Sequence, residues 1–171
     1  MRKVYTLFKM KMQPWIKAIP ESPAHGSGTF QKRLWRLVSD YVRLRDFLKY
    51  KRCVATDFCF TTWGESQAGH FKSYSTCNGM FKFDPINIHA QSAPSNSWGG
   101  METGQRFADE LRRRYGEDYI QKINDGNRKY QGTNIRDSIV IEYMEKILEM
   151  MAELPEQPIY YGRVITLRNK L

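Results

Sequence analysis

Apolar residues recur at three- and four-residue steps from Phe30 through Leu34, Leu37, Val38, Tyr41 and Leu44 to Leu48. That spacing lines one face of a helix, so it predicts a helix over residues 29–50, with Thr29 as its N-cap. The opposite face carries Lys32, Arg33, Arg36, Arg43 and Lys49, which makes the helix amphipathic and basic. The same period returns twice. Phe107, Leu111 and Tyr115 predict a helix within residues 103–124, broken at Gly116. Ile139, Tyr143, Ile147, Met150 and Met151 predict the inward face of a helix over 136–153, stopped by Pro155 and Pro158. The stripe of Met144, Met150, Met151 and Leu154 reads as core or as a dimer face. Gly126, Asn127, Gly132 and Asn134 mark residues 125–134 as a loop.

Residues 53–100 follow no helical period. They are rich in Gly, Ser, Thr, Phe and Trp. Cys53-Val-Ala and Phe58 to Trp63 read as short strands, and Phe81-Lys-Phe83 and Ile86-Asn-Ile88 flank a turn at Asp84-Pro85. The expectation is a loop-and-hairpin core between helices, hence an α+β fold. Before it, residues 1–28 form a basic, irregular arm interrupted by Pro14, Pro20 and Pro23. After it, residues 125–171 supply a loop, the last helix and a tail in which Ile159 to Leu167 could add a strand. No repeat period and no low-complexity tract interrupts this order.

Charge sharpens the picture. The chain has 171 residues and a formal net charge of +9. Residues 1–52 carry 13 Lys+Arg against Glu21, Asp40 and Asp46, whereas residues 53–171 carry 14 against 15 acids. The basic excess therefore lies in the first third, which points to nucleic acid, an acidic membrane surface or a plain solvated face. No run approaches the roughly 18 apolar residues of a membrane span, and the N-terminus lacks the apolar core of a secretory signal. Three cysteines, Cys53, Cys59 and Cys77, make no disulfide framework and suit a reducing cytoplasm.

Candidate chemistry concentrates between Cys53 and Asn96. His70 follows a glycine, which lets backbone and substrate approach closely. Asn87 and His89 share one side of an extended segment by alternation, and Asn96 follows. Hydrolysis of a phosphodiester needs a base and a cation to take up phosphoryl charge. Histidine suits the first role. Histidine, Asn and acids can hold the second.

Ala68-Gly-His70-Phe, Phe81-Lys-Phe83, Asn87-Ile-His89-Ala-Gln91, Ser95-Asn96 and a helix ending Leu111…Tyr115-Gly116 resemble, in that order, the NinG (Rap) recombination endonucleases of lambdoid phages. The resemblance covers about residues 29–124 and implies an HNH-like ββα-metal core. It implies that His70 is the general base, that Asn87 orients it or the backbone, and that His89 and Asn96 contact the metal or phosphate. The implied cofactor is a divalent cation, Mg²⁺ or Mn²⁺. The implied partner is DNA, including branched junctions, gripped by Arg33, Arg36, Arg43, Arg45, Lys49, Lys51 and Arg52 in the cytoplasm of a bacterial host. A two-fold dimer would suit symmetric cutting. Where the family has two cysteine pairs that look like a structural zinc site, this chain has Cys53…Thr56 and Ser92…Ser95, so the zinc is expected to be lost. Cys59 and Cys77, with Cys53 and a histidine, offer a less favoured rescue. Gln67 stands where the family often has an acid, and Glu65, Asp84 or Glu102 are the candidates to take that part. The plain alternatives are a non-catalytic DNA-binding module on the same scaffold, and an adaptor that binds a protein through residues 136–153. Arg112-Arg113-Arg114 reads more simply as pairing with Asp109, Glu110 and Glu117 than as DNA contact.

Overall fold

The basic helix organises everything that follows it. In a computed structural model, which describes residues 27–98 and 100–154, α1 runs Ser27–Tyr50. At about 1.5 Å per residue, its 24 residues span roughly 36 Å. It starts two residues earlier than expected, so Thr29 lies inside it and is not its cap. Most of the arm and the tail, including Pro155, Pro158 and the strand expected near 159–167, lie outside the described residues.

Strands β1 (Gln67–His70) and β2 (Ile88–Gln91) pair antiparallel, with Gly69 opposite His89 and His70 opposite Ile88. The short helix α2 (Ala93–Trp98) follows directly and packs against β1. α3 (Met101–Tyr115), α4 (Tyr119–Lys129) and α5 (Asp137–Ala152) complete the described order. The architecture is α+β: a two-stranded sheet among helices.

Two apolar clusters meet at the sheet. One joins Phe30, Leu34, Val38 and Val42 of α1 to Phe83, Ile88 and the α5 residues Val140, Met144 and Ile147. The other joins Cys53, Val54, Phe60, Phe81 and Ala90 to Phe107, Leu111 and Ile123. Burial of this kind is the main stabilising contribution in a domain of this size. The methionine stripe is therefore core: Met144 is buried, and Met150, Met151 and Leu154 pack against the same cluster. α5 turns Val140, Met144 and Ile147 inward, while Ile139 is exposed. The expected inward set was displaced by about one residue at its start. α5 therefore spends this face on α1.

Other expectations need correction. Residues 125–129 are not loop but the last turns of α4. The reason is visible at Gly126, where a Cβ would stand 2.6 Å from Phe81 Cε2. That glycine admits a core ring to the helix surface; it does not break the helix. Phe81-Lys-Phe83 belongs to a 3-10 turn over Gly79–Phe83, not to a strand. Phe81 N donates to Asn78 O at 2.9 Å within that turn, and Asn78 N donates to Asn127 Oδ1 at 2.7 Å, a bond to a side chain distant in sequence. Cys53-Val-Ala and Phe58–Trp63 form a tight turn with a single bridge between Arg52 and Cys59. Val54 N donates to Ala90 O at 3.0 Å and ties that turn to β2. Phe60, Trp63, Phe81 and Phe83 are buried as expected of packing residues, but Phe58 is half exposed. The Trp98 side chain lies outside what the structure describes. The break at Gly116 forms where expected, with φ 96° and its N–H donating to Arg112 O at 2.8 Å. That left-handed conformation favours glycine.

Candidate active site

A groove of about 920 Å³ runs between α1 and the β1 end of the sheet. One wall is a single helical face, Gln31, Lys32, Trp35, Arg36, Ser39, Asp40 and Arg43. The other holds Ala68, His70, Tyr74 and Asn96. The hydrophobic face of α1 is fastened to the core, so helical geometry turns this polar stripe toward the sheet.

His70 ends β1 with its ring fixed on three sides. It stacks on Trp35, with ring centroids 5.0 Å apart and planes 14° apart. Tyr74 meets it edge-on at 5.5 Å. Nε2 lies 2.8 Å from Lys82 O. A carbonyl only accepts, so Nε2 carries the proton and Nδ1 presents the lone pair in the neutral ring. Nδ1 has no hydrogen-bond partner among the described residues. Burial lowers the His70 pKa below the ordinary imidazole value, against a smaller opposing effect of the Lys82 carbonyl. At neutral pH the side chain is therefore a base of fixed tautomer, partly exposed to the groove.

Asn87 is fully buried just before β2. Its Oδ1 accepts from Lys72 N at 2.8 Å and its Nδ2 donates to Lys72 O at 2.9 Å. Phe71 N donates to Asn87 O at 2.9 Å. The side chain thus locks the backbone that leaves His70, without reaching the groove itself.

His89 is not with them. It stands opposite Gly69, one register step from His70, so alternation sends the two imidazoles to opposite faces. It is fully buried between Phe107, Tyr115 and Tyr119. Burial holds it below the ordinary imidazole range, although the Asp46 carboxylate pulls the other way. Nε2 lies 3.3 Å from Ile86 O, and Nδ1 is 3.1 Å from Arg45 Nη2 and 3.2 Å from Asp46 Oδ2. Both ring nitrogens are occupied, so the expected metal contact is corrected to a core residue.

Asn96 lines the groove with His70 instead, whereas Gln91 shares the His89 face of the sheet and lies over Gly69. Asn96 Nδ2 donates to Gln67 Oε1 at 3.0 Å. A Cβ on Gly69 would meet Gln91 Oε1 at 1.5 Å and Asn96 Oδ1 at 2.7 Å, so only glycine lets these two carboxamide oxygens converge over β1. Gln91 is buried. Carboxamide oxygens are hard donors of the kind a divalent cation takes, with water and phosphate completing its shell. Nothing in the spacing alone singled out Gln91 or Tyr74. The glycine before His70 was the available signal for the first. The acids proposed to replace a carboxylate at Gln67 lie elsewhere: Glu65 accepts from Thr61, Glu102 pairs with Arg106, and Asp84 accepts from Ile86 N. The acid in the groove is Asp40, 3.4 Å from Arg43. Among the described residues, no three His, Cys, Asp or Glu gather to hold a metal. That removes a rescue site built on Cys53, Cys59 and Cys77. Cys53 Sγ lies 3.4 Å from Ser95 Oγ and 3.8 Å from Ser92 Oγ, and accepts from Ser92 N at 3.2 Å. Burial raises this thiol's pKa, but those hydrogen bonds and one from Thr56 outweigh it and lower it overall.

The basic residues divide. Arg36 and Lys32 are exposed in the groove, with no ion pair among the described residues. Arg43 also lines it, but its guanidinium reaches Trp63 O at 3.3 Å and Gly64 O at 3.1 Å and lies over the Trp63 ring. Arg33 lies over Phe30. Lys49 and Lys51 stand at the far end of α1, over Tyr50 and Phe47, and Arg52 pairs with Asp57. Arg45 is corrected outright: it is an interior residue, bonded to Asp46, Pro85 O and Ile88 O. Arg112, Arg113 and Arg114 pair with Asp109, Glu110 and Glu117, as expected.

The family model described as bacteriophage lambda NinG protein matches residues 21–153 of this chain. No curated protein and no solved structure matches it. Among the described residues, no helix is long and apolar enough to cross a membrane.

Proposed function

Because the chain belongs to the NinG family of phage proteins, we propose that it is a metal-dependent endonuclease acting on branched or recombining DNA. The observation that carries this reading is His70: a neutral base of fixed tautomer, facing a groove whose other wall is the cationic stripe of α1. The order β1, loop, β2, α2, with His70 in β1, Asn87 in the loop and Asn96 in α2, supports reading it as an HNH-like ββα core.

In this reading His70 Nδ1 accepts the proton of a water whose oxygen attacks phosphorus, and the bond from phosphorus to the leaving oxygen breaks. Trp35 and Lys82 O hold the ring so that Nδ1 stays toward the groove. Asn87 is a positioning residue, since it acts on the Lys72 backbone. Lys32 and Arg36 grip phosphates without reading sequence. Asn96, in the groove wall, would hold the cation, Mg²⁺ or Mn²⁺, which when bound would neutralise charge developing on the phosphoryl and leaving oxygens. Hydrogen bonds among Cys53, Ser92 and Ser95 would do the work of a structural zinc.

The test is incubation of branched and linear DNA with Mg²⁺ or Mn²⁺, with and without chelator. Chelator-sensitive cutting is expected, and His70→Ala is expected to abolish it while DNA affinity changes little. Equal cutting by that variant would sink the assignment. One observation favours a second reading, a DNA-binding module without catalysis: the groove carboxylate Asp40 is engaged by Arg43, which leaves the cation on neutral amides. Salt-sensitive binding with no cutting under any cation would support that reading.

A further inference from the structure

We infer that the groove binds DNA as a single strand, with one unpaired base stacked on Tyr74. Tyr74 is 47% exposed, among the few large apolar side chains of the described residues left open to solvent. It stands in the groove beside His70, its ring edge-on to the imidazole and to Phe83, which fixes its orientation. Lys82 Nζ lies over one face of the ring, 4.9 Å from its centroid, which puts positive charge on that face and leaves the base to stack on the other. Across the groove are Lys32 and Arg36. Basic side chains that track a backbone, interleaved with an exposed ring, are the elements of single-strand recognition. In a duplex the base faces are already stacked on one another, so a ring in a groove wall has no partner there. An unpaired base has a free face, and placing it on Tyr74 brings its own phosphate toward His70, whose ring centroid is 5.5 Å away. At a branched substrate, the strand entering the site would then be the unpaired one at the branch.

This rests on the nuclease reading only for the fate of the phosphate; the binding claim stands without it. The test is fluorescence anisotropy with a labelled single strand and a duplex of equal length, in chelator so that no cutting intervenes. Unmodified protein should bind the single strand more tightly. Tyr74→Ala should weaken single-strand binding about tenfold and leave duplex binding within about twofold, while Tyr74→Phe should retain the preference because the ring remains. Equal loss on both DNAs, no loss on the single strand, or no DNA binding by the unmodified protein would each overturn the inference. Failure to cut with Mg²⁺ or Mn²⁺, beside intact Tyr74-dependent binding, would overturn the nuclease reading alone.

Discussion

His70 can accept a proton only while it is neutral, and its surroundings decide over what pH range that holds. Burial against Trp35 disfavours the charged ring and lowers its pKa from the ordinary value near 6.5. NMR titration of the unmodified protein should therefore give a His70 midpoint below that value, and cutting should persist to a lower pH than a solvated imidazole would allow. Trp35→Ala removes the covering ring, so the midpoint should move up and the acid limb of the activity profile should move with it. A midpoint unchanged by that substitution would mean that the stack does not tune the base. The position of His70 at an open groove could be anticipated from the glycine before it; the burial of His89 could not. Both imidazoles follow apolar or glycine residues, but Asp46, which decides the fate of His89, is 43 positions away on another element. Spacing along a strand cannot reveal such a partner.

At the scale of elements, Asp46 and Arg45 are the clasp between α1 and β2. Asp46 is fully buried; its Oδ2 accepts from Ala90 N at 2.8 Å, and its Oδ1 from Arg45 Nε at 2.7 Å. Burial alone would raise this carboxyl, but the Arg45 guanidinium and His89 outweigh it and hold it well below the usual carboxylate range. Arg45 in turn donates to Pro85 O and Ile88 O, both at 3.0 Å. Removing one partner leaves the other buried without compensation, so Asp46→Asn should cost about 3–5 kcal/mol in urea unfolding at pH 7. Arg45→Ala should behave as a stability variant, not a DNA-binding variant. Both Asp46 and His89 have folded pKa values below their unfolded ones, so the unfolded chain binds the extra protons and acid favours unfolding. The His89 share of stability should fall away as pH drops below about 6.5, and the Asp46 share only below about 3.9. If stability were flat from pH 7.5 to 5.5, the burial of a neutral His89 would be refuted. Helix α1 itself was legible, since a 24-residue amphipathic pattern needs no distant help. The loop from Phe71 to Asn87 was not, because Asn87 and Asn127 hold it through side-chain bonds to backbone far away in sequence.

For the whole molecule, the excess of positive charge in residues 1–52 does not act as one patch. Of the seven cations first assigned to DNA, Arg45 is interior, Arg52 is paired, and Arg43 is fastened to the Trp63–Gly64 backbone. Charge counting could locate the basic third of the chain but not separate cations that stabilise the fold from those that face a ligand, because that depends on which carbonyls and acids the fold brings near. Lys32 and Arg36 are the exposed groove cations with no ion pair among the described residues. If they contact two phosphates, the double substitution Lys32→Ala with Arg36→Ala should lessen the slope of log affinity against log salt by about 1.4 for a single strand, at roughly 0.7 per phosphate. Arg112→Ala with Arg113→Ala should leave the slope nearly unchanged, because those guanidiniums already serve Asp109 and Glu110 on their own helix. The two double variants remove the same formal charge, so net charge alone predicts equal effects and the groove predicts unequal ones. Affinity measured across a salt series for the pair decides between the proposed groove and overall charge as the source of any DNA binding.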